Sequence, residues 1–292
     1  MTKFELHITI TTDNSTAISV LSEHCELSVT SIKQAINKGA LWLTRRNKTQ
    51  RFRRVKKALQ LNDELHFYYN EAVLSQIPLS AKLISDNSDY SVWYKPYGML
   101  SQGTKWSDHC SITRYVQQNL SPERPVYIVH RLDRAATGLI IVAHTKAAVK
   151  ALTAMFEKRD SQLEKHYQII VHGDHSAHAQ PEIITAEIAG KKAQSQFNLL
   201  SYDKTNNLSL IAVKIASGRK HQIRLHAASV GLPVVGDRLH GDKTRYYPET
   251  LHLQLSAVSL SFCCPLSGEV KHYQLPCELM PNLEKVIVQL TQ

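Results

Sequence analysis

Paired cysteines are missing from this sequence. Its five cysteines, Cys25, Cys110, Cys263, Cys264 and Cys277, are odd in number and show no CxxC spacing. Neither a disulfide framework nor a thiolate zinc site is indicated, and a cytoplasmic setting is expected. Adjacent Cys263 and Cys264 would point to opposite faces of a strand as small semi-buried residues. Long apolar runs are also absent. Leu139 to Ala143 is among the longest and falls far short of the roughly 20 residues a membrane span needs. The opening MTKFELHITI carries Glu5 among its apolar residues, so neither a signal peptide nor a membrane partner is expected. HExxH does not occur despite 15 histidines, and His172 with His175, or His221 with His226, lacks supporting carboxylates, so no metal is expected. GxGxxG, GxxxxGKS/T and GxSxG are missing too, which removes the usual support for a nucleotide cofactor or a serine nucleophile. No cofactor is expected.

What the chain does have is positive charge in one place. Of its 292 residues, 35 are Lys or Arg and 25 are Asp or Glu, a net charge of +10. Arg45, Arg46, Lys48, Arg51, Arg53, Arg54, Lys56 and Lys57 fall within one acid-free stretch. Eight of the ten excess charges therefore sit in that stretch. Such a patch neutralises phosphates and releases their counterions, making nucleic acid the natural partner. A solvated basic loop or an acidic lipid surface would use the same charges. Phe52 and Val55 are its only large apolar residues, too few for a membrane-lying helix.

The length, with 43% apolar residues, suits two unequal domains. Ala17–Leu21 and Val29–Ile36 predict two short helices, with Gly39 placed to end the second, and Ala40–Leu43 predicts a strand. Leu61–Tyr69 predicts a turn followed by a strand. A first domain over 1–72 and a linker over 73–85, marked by Pro78, are expected. Over 86–292, strand-length apolar runs recur at Tyr90–Tyr94, Val126–Val129, Leu139–Ala143, Tyr167–Val171, Leu208–Ile215 and Leu255–Phe262. Helical spacing is clearest from Thr145 to Arg159, where Val149, Leu152, Met155 and Phe156 share a face. The expected fold class is α+β, a mixed sheet domain preceded by a small α+β domain.

Two polar clusters carry chemistry. His130-Arg131-Leu132-Asp133-Arg134 lies between two apolar strands, which places its side chains at a sheet rim. The neighbouring arginines should hold Asp133 ionised, ready as nucleophile or base; an aspartate that merely ties a turn would look the same. The second cluster runs from Ser217 to His226 and is followed by Gly231–Asp237. As a strand it would put His221, Ile223 and Leu225 on one face and Gln222, Arg224 and His226 on the other, offering Arg224 to a carboxylate. Arg219 and Lys220 suit phosphate contact without needing order in the rest.

Four blocks in order, WYKPYG (93–98), HRLDR with AATGL (130–139), KHY (165–167) and GRKHQIRLH with GLPVVGD (218–237), resemble the RluA family of RNA pseudouridine synthases. The first 70 or so residues resemble the S-four-like RNA-binding domain, with Asn62-Asp63 where that domain usually has Gly-Asp. Ala136 and Thr137 stand where the family usually has Thr and Ser. The resemblance implies a mainly antiparallel catalytic sheet and an enzyme that isomerises uridine in RNA without cofactor or metal. It implies Asp133 as the catalytic aspartate, Arg224 as its arginine partner and Tyr167 as the ring packed on the target uracil. Arg131 would enter the RNA stack where the flipped nucleotide leaves, and Ile223 would line the uracil pocket. His130, Lys165, Arg219 and His221 fall in the same blocks as substrate-binding residues. Addition of Asp133 to the uracil ring, attack on the ribose anomeric carbon, or removal of a ribose proton all remain open. The implied partner is RNA, ribosomal in preference to transfer RNA, with the protein a monomer. The rivals are a non-catalytic RNA-binding or ribosome-assembly protein on the same fold and an aspartate-nucleophile hydrolase. The hydrolase would need acidic metal ligands, and only arginines flank Asp133.

Overall fold

Phe4, Leu6 and Ile8 alternate with exposed Lys3, Glu5 and His7, and that two-residue period makes Lys3–Thr9 a strand, β1. The chain is described by a computed structural model over residues 1–158, 163–178 and 180–291. Two helices follow, α1 (Ala17–His24) and α2 (Val29–Asn37). Thr16 and Ser19 cap the first reciprocally, and the Ser28 side chain caps the second by accepting from the Ser31 amide. Gly39 ends α2 at φ +91, where a Cβ would crowd Asp108 and Arg51. The chain then forms β2 (Leu41–Arg45), β3 (Lys48–Arg51), β4 (Glu64–Asn70) and a short α3 (Glu71–Leu74). The four strands pair antiparallel in the order β1-β4-β2-β3. Leu21, Ile32, Ile36, Leu41, Leu65 and Phe67 fill the core between sheet and helices. The basic stretch is thus partly a hairpin, turning at Arg46 and Asn47, both left-handed.

This first unit comprises Met1–Leu79 together with Gln102–Asn119, a later segment that ends in α4 (Ile112–Asn119). Three consecutive stretches, 1–72, 73–85 and 86–292, did not foresee that Gln102–Asn119 would belong with the first. The expected linker also carries structure, since α3 overlaps its start and a strand begins at Lys82.

The second unit comprises Ser80–Ser101 and Leu120–Gln292. Its strands are β5 (Lys82–Asp86), β6 (Tyr90–Lys95), β7 (Tyr127–Ile128), β8 (Thr137–Ala143), β9 (Glu164–His172), β10 (Glu182–Ile188), β11 (Lys191–Asp203), β12 (Leu208–Ile215), β13 (Leu255–Cys263) and β14 (Val270–Gln274). Its helices are α5 (Lys146–Glu157), α6 (Gln222–Ser229) and α7 (Leu283–Thr291). One mixed sheet runs β10-β11-β12-β9-β13-β8-β6-β5, with β14 on β13 and β7 on β8. Only the β8–β13 step is parallel among the described pairs. The fold is α+β, as the residue pattern predicted, with the mainly antiparallel catalytic sheet that the resemblance implied.

Helix α5 starts where expected, its N-cap Thr145 accepting from the Ala148 amide, and Ala148, Leu152 and Met155 bury against Leu139 and Ile141 of β8. Arg159, placed at its end from the sequence, lies outside the described residues. A second core joins β9, β11 and β12 to α6 through Ile169, Phe197, Ile211, Val213, Ile223 and Ala227. The strand expected for 217–226 is corrected: Gln222–Ser229 is a helix. Alternation misled there because Gln222, Arg224 and His226 are all buried, so polarity did not mark a solvent face.

Candidate active site

The loop between β7 and β8 carries Asp133 and is tied from within. Ser101 Oγ donates to the Leu132 carbonyl at 2.6 Å and accepts from the Leu132 amide at 2.9 Å. The Gly98 amide donates to the Arg134 carbonyl at 2.8 Å, and Arg134 Nε donates to the Gly98 carbonyl at 3.1 Å. Buried Lys95 points its Nζ at the carbonyls of Met99, Pro96 and Arg134, at 2.9, 3.1 and 3.4 Å. Burial lowers the Lys95 pKa to about 7, against the opposing pull of Asp133. Both flanking residues of Asp133 are thereby fixed through their backbones, while its carboxylate stays open to the cleft. Lys95 and Ser101 were not foreseen as site residues. The signal for Lys95 was a lysine at the end of a buried strand, with nowhere to place its charge except on carbonyls.

Strand β13 brings the other side of the site into range. Ala257 stands opposite Gly138 on one side and opposite Tyr167 on the other. Gly138 has φ +113, and a Cβ there would overlap the Ala257 backbone, so only glycine admits this approach. The strand that follows the Asp133 loop and the strand that carries Tyr167 therefore flank the same residue.

One cleft is lined by Arg131, Leu132, Asp133, Ala136, Tyr167, Ile215, Gly218, Arg219, His221, Gln222, Ile223 and Leu255. It gathers Asp133, Tyr167, Arg131, Ile223, Arg219 and His221, six of the nine residues singled out in these blocks from the sequence. Burial, and then the charge of Asp133, push the Tyr167 phenol well above its ordinary range, so its proton is held. Gln222 organises the rim. Its Oε1 accepts from Ser217 Oγ at 2.8 Å and from the Arg219 amide at 3.1 Å, while its Nε2 donates to the Gln194 carbonyl at 2.9 Å.

Besides Asp133, Arg224 meets a second carboxylate that the sequence reading did not assign to it. Its fork closes on Asp237, Nε to Oδ2 at 2.7 Å and Nη2 to Oδ1 at 2.6 Å. Its remaining nitrogen, Nη1, stands 3.8 Å from Asp133 Oδ2. The forked partner is thus Asp237, and Asp133 receives a longer ion pair. Burial works to raise the Asp237 pKa, but Arg224 and the amides of His240 and Leu239 outweigh it and hold the carboxyl low.

His130 does not line the cleft. Its ring stacks on Phe156 at 4.2 Å and its Nε2 accepts from the Ile141 amide at 3.0 Å. Burial, with Lys165 adding to it, lowers its pKa to about 3, so it is a neutral anchor for β8. Lys165 is also absent from the lining, and burial lowers its pKa. Among the described residues no cluster of three His, Cys, Asp or Glu could hold a metal ion.

A family profile described as RNA pseudouridylate synthase matches residues 89–229. An uncharacterized RNA pseudouridine synthase of Aquifex aeolicus is 33% identical over 218 residues, 66% of this chain and 67% of that one. The dual-specificity RNA pseudouridine synthase RluA of Salmonella typhimurium is 30% identical over 203 residues, 63% of this chain and 87% of that one. The chain belongs to the RluA family of RNA pseudouridine synthases. It is an isomerase that converts uridine in RNA to pseudouridine. A solved structure of human RNA pseudouridylate synthase domain containing 1 shares the fold at TM-score 0.57 and 19% identity, covering 74% of this chain and 98% of the human one.

The basic stretch of this RluA-family enzyme divides in two. Arg45 is bound to Asp63, Nε to Oδ1 at 2.7 Å. Arg51 and Arg53 both meet Asp108, and Arg51 also binds the Gly39 carbonyl. Burial lowers the Arg51 pKa to about 10. Arg46, Lys48, Arg54, Lys56 and Lys57 remain exposed.

Proposed function

We propose that Asp133 acts on a flipped-out uridine held in this cleft, with Tyr167 against the uracil and Ile223 at its edge. Arg131, exposed at the rim, fills the stack that the nucleotide leaves. Arg219 takes a neighbouring phosphate. The observation carrying this reading is that Asp133 with Arg131, Tyr167 and Ile223, drawn from three separate stretches of sequence, line one cleft. Arg224, anchored by Asp237, keeps a positive charge beside Asp133 without blocking its oxygens.

Asp133→Asn should abolish pseudouridine formation and leave RNA binding within about twofold, because it removes one charge and almost no volume. Tritium release from RNA labelled at uridine carbon 5 measures the first, and filter binding the second. Full turnover by this variant would sink the assignment.

For the substrate, ribosomal RNA of the large subunit is the reading we adopt. Five exposed cations between Arg46 and Lys57, outside the matched family region, suit a large, highly charged RNA. The Salmonella typhimurium relative is dual-specificity by name, so family membership alone does not select one RNA. Pseudouridine maps of total RNA from cells with and without the gene decide it: a site lost from transfer RNA alone would replace the ribosomal reading.

A further inference from the structure

His221 is the first residue of the cleft wall contributed by α6, and its backbone is unusual. It is the helix N-cap at φ 56, ψ 23, a left-handed conformation that non-glycine residues rarely adopt, and its side chain makes no capping bond. Strain of this kind persists only where surrounding structure holds it, and it concentrates at working sites. The side chain is turned to two partners. Nε2 lies 3.8 Å from Asp133 Oδ2, and Nδ1 lies 2.7 Å from Nε2 of His240. His240 is itself set by Asp237, whose Oδ1 accepts from the His240 amide at 3.0 Å. The carboxylate that holds Arg224 therefore also positions His240.

The reaction needs a base that no residue has yet supplied. Uridine carbon 5 bears a hydrogen, and in the product that carbon is bonded to the ribose and bears none. After carbon 5 joins C1′, the C5–H bond must break. Tyr167 is a poor acceptor because its own proton is held. Asp133, where it acts at the ribose, is freed there only as carbon 5 joins C1′, and where it adds to the ring it is still bonded to carbon 6.

We propose that His221 is the base that removes the carbon 5 proton, and that His240 is the positioning residue that fixes its tautomer. His240 Nε2 accepts from Nδ1–H of His221, which leaves the lone pair on His221 Nε2 facing the cleft. The C5–H proton passes to that nitrogen. Its electron pair closes the C5=C6 double bond, and the former C6=N1 pair moves onto N1, which takes a proton from solvent. His221 then returns its proton to solvent, so one proton leaves carbon and one reaches nitrogen.

The surroundings suit a neutral imidazole. Burial is the main influence lowering the His221 pKa, joined by Arg224, His240 and Lys220, while Asp133 opposes them. Arg131, Arg219 and Tyr167 complete the charged and titratable groups of the cleft. A lowered pKa keeps the base free at neutral pH, and activity should fall as acid protonates it below the ordinary histidine range.

This inference rests on uracil occupying the cleft, and the experiment separates the two. The full-length enzyme is assayed on RNA from cells lacking the gene, labelled with tritium at uridine carbon 5. The variant is His221→Asn, since asparagine tolerates the left-handed backbone but cannot accept the proton. It should bind the RNA normally and release tritium about 100-fold more slowly, with the acid limb of the pH profile gone. Deuterium at carbon 5 should slow it more than it slows the wild-type enzyme. His240→Leu, at a half-exposed loop position, should keep the fold and displace the acid limb. Wild-type release by His221→Asn with an unchanged pH profile overturns the proposal, as does an unmoved limb in His240→Leu. Full activity in Asp133→Asn would overturn the cleft reading itself, whatever His221→Asn does.

Discussion

Asp237, at 2% exposure, is among the most deeply placed charges of the second unit, and it serves three groups at once. It takes the Arg224 fork and the amides of Leu239 and His240. Removing one partner of such a buried pair leaves an uncompensated charge, which costs about 3–5 kcal/mol. Asp237→Ala should therefore lower unfolding stability by about that amount and should also impair turnover, because Arg224 loses its fixed position beside Asp133. Urea unfolding and the tritium assay measure the two effects; a loss below about 1 kcal/mol would show that the pair is dispensable. Asp237 was visible in the GLPVVGD block, but its role was not. The resemblance paired Arg224 with Asp133, and no local pattern says which of two aspartates an arginine will grip in its fork. Asp133, Tyr167 and Ile223 were legible because their blocks carry them. His130 stands in the same block as Asp133 yet faces the other way, onto Phe156.

The decisive element-scale feature is the parallel step between β8 and β13, only two residue pairs long. Gly138 lies at its centre, with its hypothetical Cβ inside the Ala257 backbone. Gly138→Ala should cost about 3 kcal/mol or more, combining overlap with a left-handed φ. Its activity loss should exceed that of an equally destabilised variant at the far end of β8, since Asp133 hangs from this step. Equal losses in the two variants would show that the step does not position the loop. Central strands were legible as apolar runs, and Leu208–Ile215 was placed to the residue. Strands β10 and β11 were not, because EIITAEI and KKAQSQFNLLSYD carry polar residues on solvated faces and break the run. Strand β3 was hidden inside the basic stretch, where charge masked the pairing with β2.

Over the whole molecule, the +10 excess resolves into two kinds of charge. Arg45, Arg51 and Arg53 are matched by Asp63 and Asp108 inside the first unit, whereas Arg46, Lys48, Arg54, Lys56 and Lys57 face solvent. Replacing the five exposed cations by glutamine should weaken RNA binding and flatten its salt dependence, with a slope change of up to about 3 to 4. Replacing Arg51 and Arg53 instead should lower stability of the first unit and alter the slope little. Binding titrations at several salt concentrations, beside thermal unfolding, distinguish the sets; an equal slope change in both would refute the division. Composition located the charge but not its neutralisation, because Asp108 lies more than 50 residues from the arginines it serves. That distance bears on heredity as well as on folding. Residues 1–79 look like a cassette that a gene rearrangement could graft onto another enzyme. Transplanted alone, they would arrive carrying two guanidiniums whose counter-charge stayed behind with Gln102–Asn119. A graft that worked would have to bring that later segment along, or replace Arg51 and Arg53 on arrival.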